Sequence, residues 1–128
     1  METLILGDRN TSGIAAGASG LPIEITYNFG GYFRICQFSI FYLVNIDFAL
    51  VTLKDTQRNR DLISGNTVLA SVSSPVAPGT SRFNSRIDID PIDVSNGQSI
   101  QLFLNNITAV ALAANQLSLT LYGHTVPK

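Results

Sequence analysis

Hydrophobic and polar residues alternate with a period of two along several short stretches of the chain, the spacing at which a strand turns one face to a core and the other to solvent. After Pro22, Ile23, Ile25 and Tyr27 alternate with Glu24 and Thr26, and Asn28-Phe29-Gly30-Gly31 then supplies a turn. Tyr32 to Ile40 reads as the next strand and the expected second half of a hairpin, with Phe33 and Ile35 out of step with Tyr32 and Arg34. Phe41 to Val44 and Phe48 to Leu53 are short apolar runs that fit strands covered on both sides. Lys54 to Asp61 is polar and predicts an exposed loop, Thr67 to Val72 a strand, and Ser73 to Thr80 a second loop broken by Pro75 and Pro78. Ser85 to Asp90 alternates again and is expected to stop at Pro91. After the turn at Ser95 to Gln98, Ser99 to Leu104 and Gln116 to Tyr122 each carry leucine or isoleucine at every second position, while Ile107 to Ala114 suits a short helix, a loop or a strand.

About eight strands separated by turn signals every 8–12 residues predict an all-β fold, an antiparallel β-sandwich arranged as a single jelly roll. The absence of a long amphipathic helical pattern disfavours doubly wound α/β folds. Residues 7 to 21 are rich in Gly, Ala and Ser with few bulky side chains, so residues 1–21 are expected to form an extended N-terminal arm and residues 22–128 the sandwich. Such an arm is either a disordered tail or a strap laid over a neighbour.

Composition sharpens this picture. Eight basic and nine acidic residues leave a net charge of −1, which disfavours nucleic acid as a partner. Charged residues make up 13% of the chain, about half the usual share, so much of the surface is expected to be covered by other subunits. The N-terminus lacks a basic leader and a long apolar segment, which predicts no signal peptide and synthesis in the cytoplasm. Ile35 to Leu53 contains one charge, Asp47, yet Gln37, Ser39 and Asn45 interrupt it, and its aromatic and β-branched content predicts strands rather than a membrane span.

Candidate chemistry is sparse. The single Cys36 lies in an aromatic run and is expected to be a buried hydrophobe, and the single His124 is placed in a tail after the last strand. One Cys and one His exclude a zinc cluster within the chain. Asp88, Asp90 and Asp93 are a candidate calcium site where a strand meets a loop, although no EF-hand spacing is present. Glu24 and Asp47 are the only carboxylates placed to pair inward for hydrolysis, and no spacing supports them. No cofactor is expected, and the chain reads as a structural or binding protein rather than an enzyme. The sequons Asn10-Thr11-Ser12 and Asn106-Ile107-Thr108 carry little meaning without a secretory route.

Ile23-Glu24-Ile25-Thr26-Tyr27-Asn28-Phe29-Gly30-Gly31-Tyr32-Phe33-Arg34-Ile35, preceded by a Gly/Ala-rich arm and followed by short strands, resembles small single-jelly-roll virion proteins of bacteriophages, of the vertex, minor-capsid or decoration class. The resemblance implies a self-assembling building block whose partners are its own copies and other virion proteins, located in the virion after synthesis in the host cytoplasm. Interface candidates are Ile14 on the arm, Phe29 and Tyr32, the loop arginines Arg58 and Arg60, and Arg82 with Phe83. The alternative is a carbohydrate- or ligand-binding β-sandwich, although the aromatic platforms of such modules rely on tryptophan, which this chain lacks.

Overall fold

Strands with one apolar face become stable only when two such faces meet, and that is how this chain is organised. A computed structural model describes residues 2–75 and 86–127. Its strands are β1 (Thr3–Arg9), β2 (Ser19–Thr26), β3 (Tyr32–Tyr42), β4 (Leu50–Asp55), β5 (Arg60–Val68), the two-residue β6 (Ser74–Pro75), β7 (Ile87–Ser95), β8 (Ser99–Asn105) and β9 (Leu117–Val126). One sheet has the order β1-β9-β3-β7, with β6 running parallel beside the end of β3, and the other has the order β2-β8-β4-β5. All other neighbours are antiparallel, so the chain is an all-β antiparallel sandwich. Among the described residues no helix is long and apolar enough to cross a membrane.

The core lies between the sheets. Phe33, Ile35, Phe38, Ile40 and Tyr42 of β3, with Leu117, Leu119 and Leu121 of β9, face Ile23, Ile25, Val51, Leu53, Ile100, Leu102 and Leu104. Each fully buried side chain of this size contributes about 1.5–3 kcal/mol relative to remaining in water. The inward positions on β3 change phase between Ile35 and Phe38 because Cys36 is an extra residue: Ile35 pairs with Gly123 and Gln37 with Tyr122. A Cβ on Gly123 would collide with the Arg34 carbonyl, so the close approach of β3 at this bulge requires glycine.

Several sequence expectations are corrected here. The stretch expected to be an arm belongs to the sandwich: Thr3–Arg9 pairs residue by residue with Ser118–His124, and β2 begins at Ser19. Backbone pairing supplies what the small side chains do not. β2 and β3 are not a hairpin, since β2 pairs with β8 in the opposite sheet and residues 27–31 cross between the layers. Lys54 to Asp61 is not one loop, because only residues 56–59 turn between β4 and β5. β5 runs to Val68 and Leu69–Val72 forms a 3₁₀ turn where a strand was expected. Strand β7 continues through Pro91, which lies at a sheet edge where the register with β3 is irregular and no ladder donor is needed. Ile107 to Ala114 is a loop bridged by Ile14 and Leu112. Cys36 is only half-buried, and His124 belongs to β9 opposite Arg34.

Candidate functional site

Both ends of the sandwich are built by loops, and they differ in chemistry. At one end the β1–β2 segment, the β3–β4 loop, the 3₁₀ turn and the β8–β9 loop come together. Two asparagines with no solvent exposure hold this end. The Asn10 amide donates to the carbonyls of Ser12 (2.9 Å) and Ala113 (2.8 Å), and its Oδ1 accepts from the amides of Gln116 (3.1 Å) and Leu117 (2.9 Å). Asn106 donates to the Val110 carbonyl (2.8 Å) and accepts from the Thr108 hydroxyl (2.6 Å). Both are the asparagines of the sequons, and their amides are committed to the main chain. An Asn-x-Ser/Thr spacing is also a turn signal, which is the trace of this role left in the sequence.

Over this frame the loops present apolar side chains to solvent: Phe48 is 73% exposed, Ile107 57% and Leu43 50%, and Val110 of the β8–β9 loop is exposed as well. Behind them the buried Tyr42 hydroxyl donates to Asp47 (2.7 Å). Burial, reinforced by that bond, pushes the phenol well above its ordinary range.

The opposite end carries arginines. Arg34 of β3 makes a two-pronged contact with Asp93 of β7 (2.8 and 3.1 Å), which holds the Asp93 carboxyl below the ordinary carboxylate range. Asp55 closes β4 with no solvent exposure, accepting from the Gln57 amide (3.1 Å) and from Arg58 Nη1 (2.9 Å). Arg58 Nη1 also donates to the Asp93 carbonyl (2.9 Å), and Gln57 Oε1 accepts from the Ser95 amide (2.9 Å). The β4–β5 turn of one sheet is therefore tied to β7 of the other. Arg60 stands beside it, with Nε 3.9 Å from Asp55 and a half-exposed side chain. Arg34, Arg58, Arg60, Pro91, Ile92 and Asp93 line an open cleft of about 370 Å³, which offers donors and one carboxylate acceptor but no nucleophile.

Of the interface candidates, Arg58 and Arg60 share this cleft. Phe29 is exposed at the same end, packed against Tyr27 at 5.9 Å between ring centroids, and Tyr32 is half-buried at the start of β3. Ile14 is instead part of the core, because Gly13 lets the chain lie against the Leu112 carbonyl, so it is not a surface residue. Arg82 and Phe83 lie outside the described residues, while Arg86 sits 4.0 Å over the Tyr122 ring. The three aspartates of the candidate calcium site do not converge: Asp88 accepts from Gln37 (2.6 Å), Asp93 is held by Arg34, and among the described residues no three His, Cys, Asp or Glu side chains gather. Strand β7 runs on through Pro91 instead of turning there, which keeps the three carboxylates apart. Glu24 and Asp47 are likewise separate, Glu24 accepting from Gln101 (2.5 Å) and Asp47 from Tyr42. The Arg34–Asp93 pairing, across 59 residues, leaves no local signal in the sequence, whereas Asp55 and Arg58 are three residues apart in one turn.

Comparison with known proteins returns no matching family model, curated protein or solved structure.

Proposed function

We propose that this protein is a jelly-roll building block of a virion, a minor-capsid, vertex or decoration component that acts by binding copies of itself and other virion proteins. The observation that carries the reading is the nesting of its antiparallel pairs: β1 with β9, β2 with β8, β3 with β7, and β4 with β5. First-with-last pairing, wrapped so that β9 also meets β3 and β8 also meets β4, is the path of a long hairpin rolled into two sheets. That path supports the jelly-roll reading, and jelly rolls are recurrent capsid architecture.

A surface for assembly is supported by the apolar end. Ile107 and Val110 sit on a loop braced by Asn106, and Leu43 and Phe48 on a loop held by main-chain bonds of Leu43 to Gln116 and of Asp47 to Ala70, so they project from a rigid frame. With 13% charged residues, the chain has few groups to oppose close approach of a second copy. In this reading the contacts are individually modest, and closed symmetry multiplies them. The protein is made in the host cytoplasm and resides in the particle.

Light scattering across a concentration series tests the proposal, with Phe48→Asp measured alongside. A defined oligomer that shifts toward monomer in Phe48→Asp is the expected result. A monomer at every concentration up to the solubility limit, in both proteins, overturns self-assembly.

A further inference from the structure

We propose that the arginine cleft is a binding site for an oxyanion group, a carboxylate or a tetrahedral phosphate or sulfate, carried by a small ligand. This goes beyond the assembly reading and stands at the other end of the molecule. Three guanidinium groups converge there from β3, the β4–β5 turn and β5, yet their charges are not equally spent. Arg34 is neutralised by two-pronged contact with Asp93, and Arg58 by the buried Asp55. Arg60 is the surplus charge: its nearest carboxylate oxygen is 3.9 Å away, already shared with Arg58, and the side chain is 51% exposed.

The three arginines also differ in how many bonds hold them, and that difference makes a site rather than a loose patch. Arg34 is fixed by a charged fork and Arg58 by two acceptors, Asp55 Oδ2 and the Asp93 carbonyl, each at 2.9 Å. Nη1 of Arg58 carries both of those bonds, which leaves its Nε and Nη2 protons for a ligand. An anion entering the cleft meets two pre-positioned donors and one fork not yet committed, among the described residues, to an acceptor at hydrogen-bond distance. The floor of Pro91 and Ile92 is apolar, and Asp93 is turned toward Arg34, so the ligand's uncharged part has a surface to rest on.

The probes are sodium phosphate, sodium sulfate and sodium glucuronate, titrated separately into the protein at low ionic strength, where screening is weak. The readout is two-dimensional NMR of backbone amides and arginine Nε–H groups. Saturable shifts at Arg58, Arg60, Ile92 and Asp93 are expected, with a dissociation constant on the order of 1 mM for an open, singly surplus-charged site. Saturation by phosphate or sulfate alone identifies a tetrahedral ligand group, and saturation by glucuronate alone a carboxylate. Arg60→Ala removes no hydrogen bond that holds the fold and should melt with the wild type while binding at least about fivefold more weakly. The proposal is overturned if none of the three anions saturates these signals, or if Arg60→Ala binds as tightly as the wild type.

Discussion

Asn10 carries the crossing from β1 to β2 on one side chain, and replacing it by alanine removes four hydrogen bonds to the main chain at once. The partners differ in what they lose. Ser12 and Ala113 are exposed, so their carbonyls can turn to water, whereas the bond to the Leu117 amide is buried and that to Gln116 is partly so. A buried main-chain group left unpaired costs about 1–3 kcal/mol, and an exchanged bond about 0.5–1.5, which gives about 3–5 kcal/mol for Asn10→Ala. With an unfolding entropy of about 2 cal/mol/K per residue over 128 residues, the melting temperature should fall by about 10–20 °C. Calorimetry and urea denaturation measure both quantities. Asn10→Asp sharpens the test, because an oxygen would then face the Ser12 and Ala113 carbonyls where the amide now donates. Only a protonated carboxyl can donate there, so its folded pKa lies above the unfolded value of about 3.9. The contribution from protonation is full below that unfolded value and is lost as pH rises through the folded one, so Asn10→Asp should approach wild-type stability in acid. A loss under about 1 kcal/mol in Asn10→Ala, or an Asn10→Asp variant whose deficit does not shrink at low pH, would refute the assignment.

Two further perturbations probe other parts of the frame. Arg58→Ala strips the buried Asp55 of its closest cation, and because the Gln57 amide stays and Arg60 stands 3.9 Å away, the cost should be about 2–4 kcal/mol, below that of a wholly buried pair. Urea denaturation reads it, and Asp55→Asn in the same background should recover part of the loss. Tyr42, whose phenol is raised by burial and by Asp47, contributes stability that is full below the unfolded value near 10 and is lost as pH rises toward its folded value. Melting temperatures between pH 9 and 11 should therefore fall more steeply in the wild type than in Tyr42→Phe, and parallel curves would remove Tyr42 from the alkaline transition.

Strand existence was legible in this sequence wherever one chain segment decides it. Ile23, Ile25 and Tyr27, or Leu117, Leu119 and Leu121, announce a buried face through their own spacing, and all six are core residues. Partner choice was not legible, since nothing in residues 22–42 distinguishes a hairpin from two strands in opposite sheets; β8 and β9, whose residues pair with them across more than 70 positions, decide it. The bulge at Cys36 was half-visible as the phase change between Ile35 and Phe38, while its counterpart, Gly123, reads as an ordinary interruption until the Arg34 carbonyl is seen against it. The arginine cleft was divided in the same way. Arg58 and Arg60 stood out as a local pair, but Arg34 and Asp93 meet only through the register of β3 with β7.

The least legible segment is also the one that changes how assembly should be tested. Gly, Ala and Ser in residues 7–21 suggest a strap because a side-chain pattern measures packing, and this segment is held by backbone pairing and by Asn10 instead. Deleting residues 1–20 would remove the whole of β1, expose the ladder groups of Leu119, Leu121 and Gly123 at a new edge, and orphan the amides now bonded to Asn10. A truncated protein that failed to assemble would report damage to the sheet, and one that aggregated would report the new edge. Phe48 is the sounder probe: it is 73% exposed on a loop whose backbone is fixed by neighbouring main-chain bonds, so an aspartate there alters the apolar end and leaves both sheets intact.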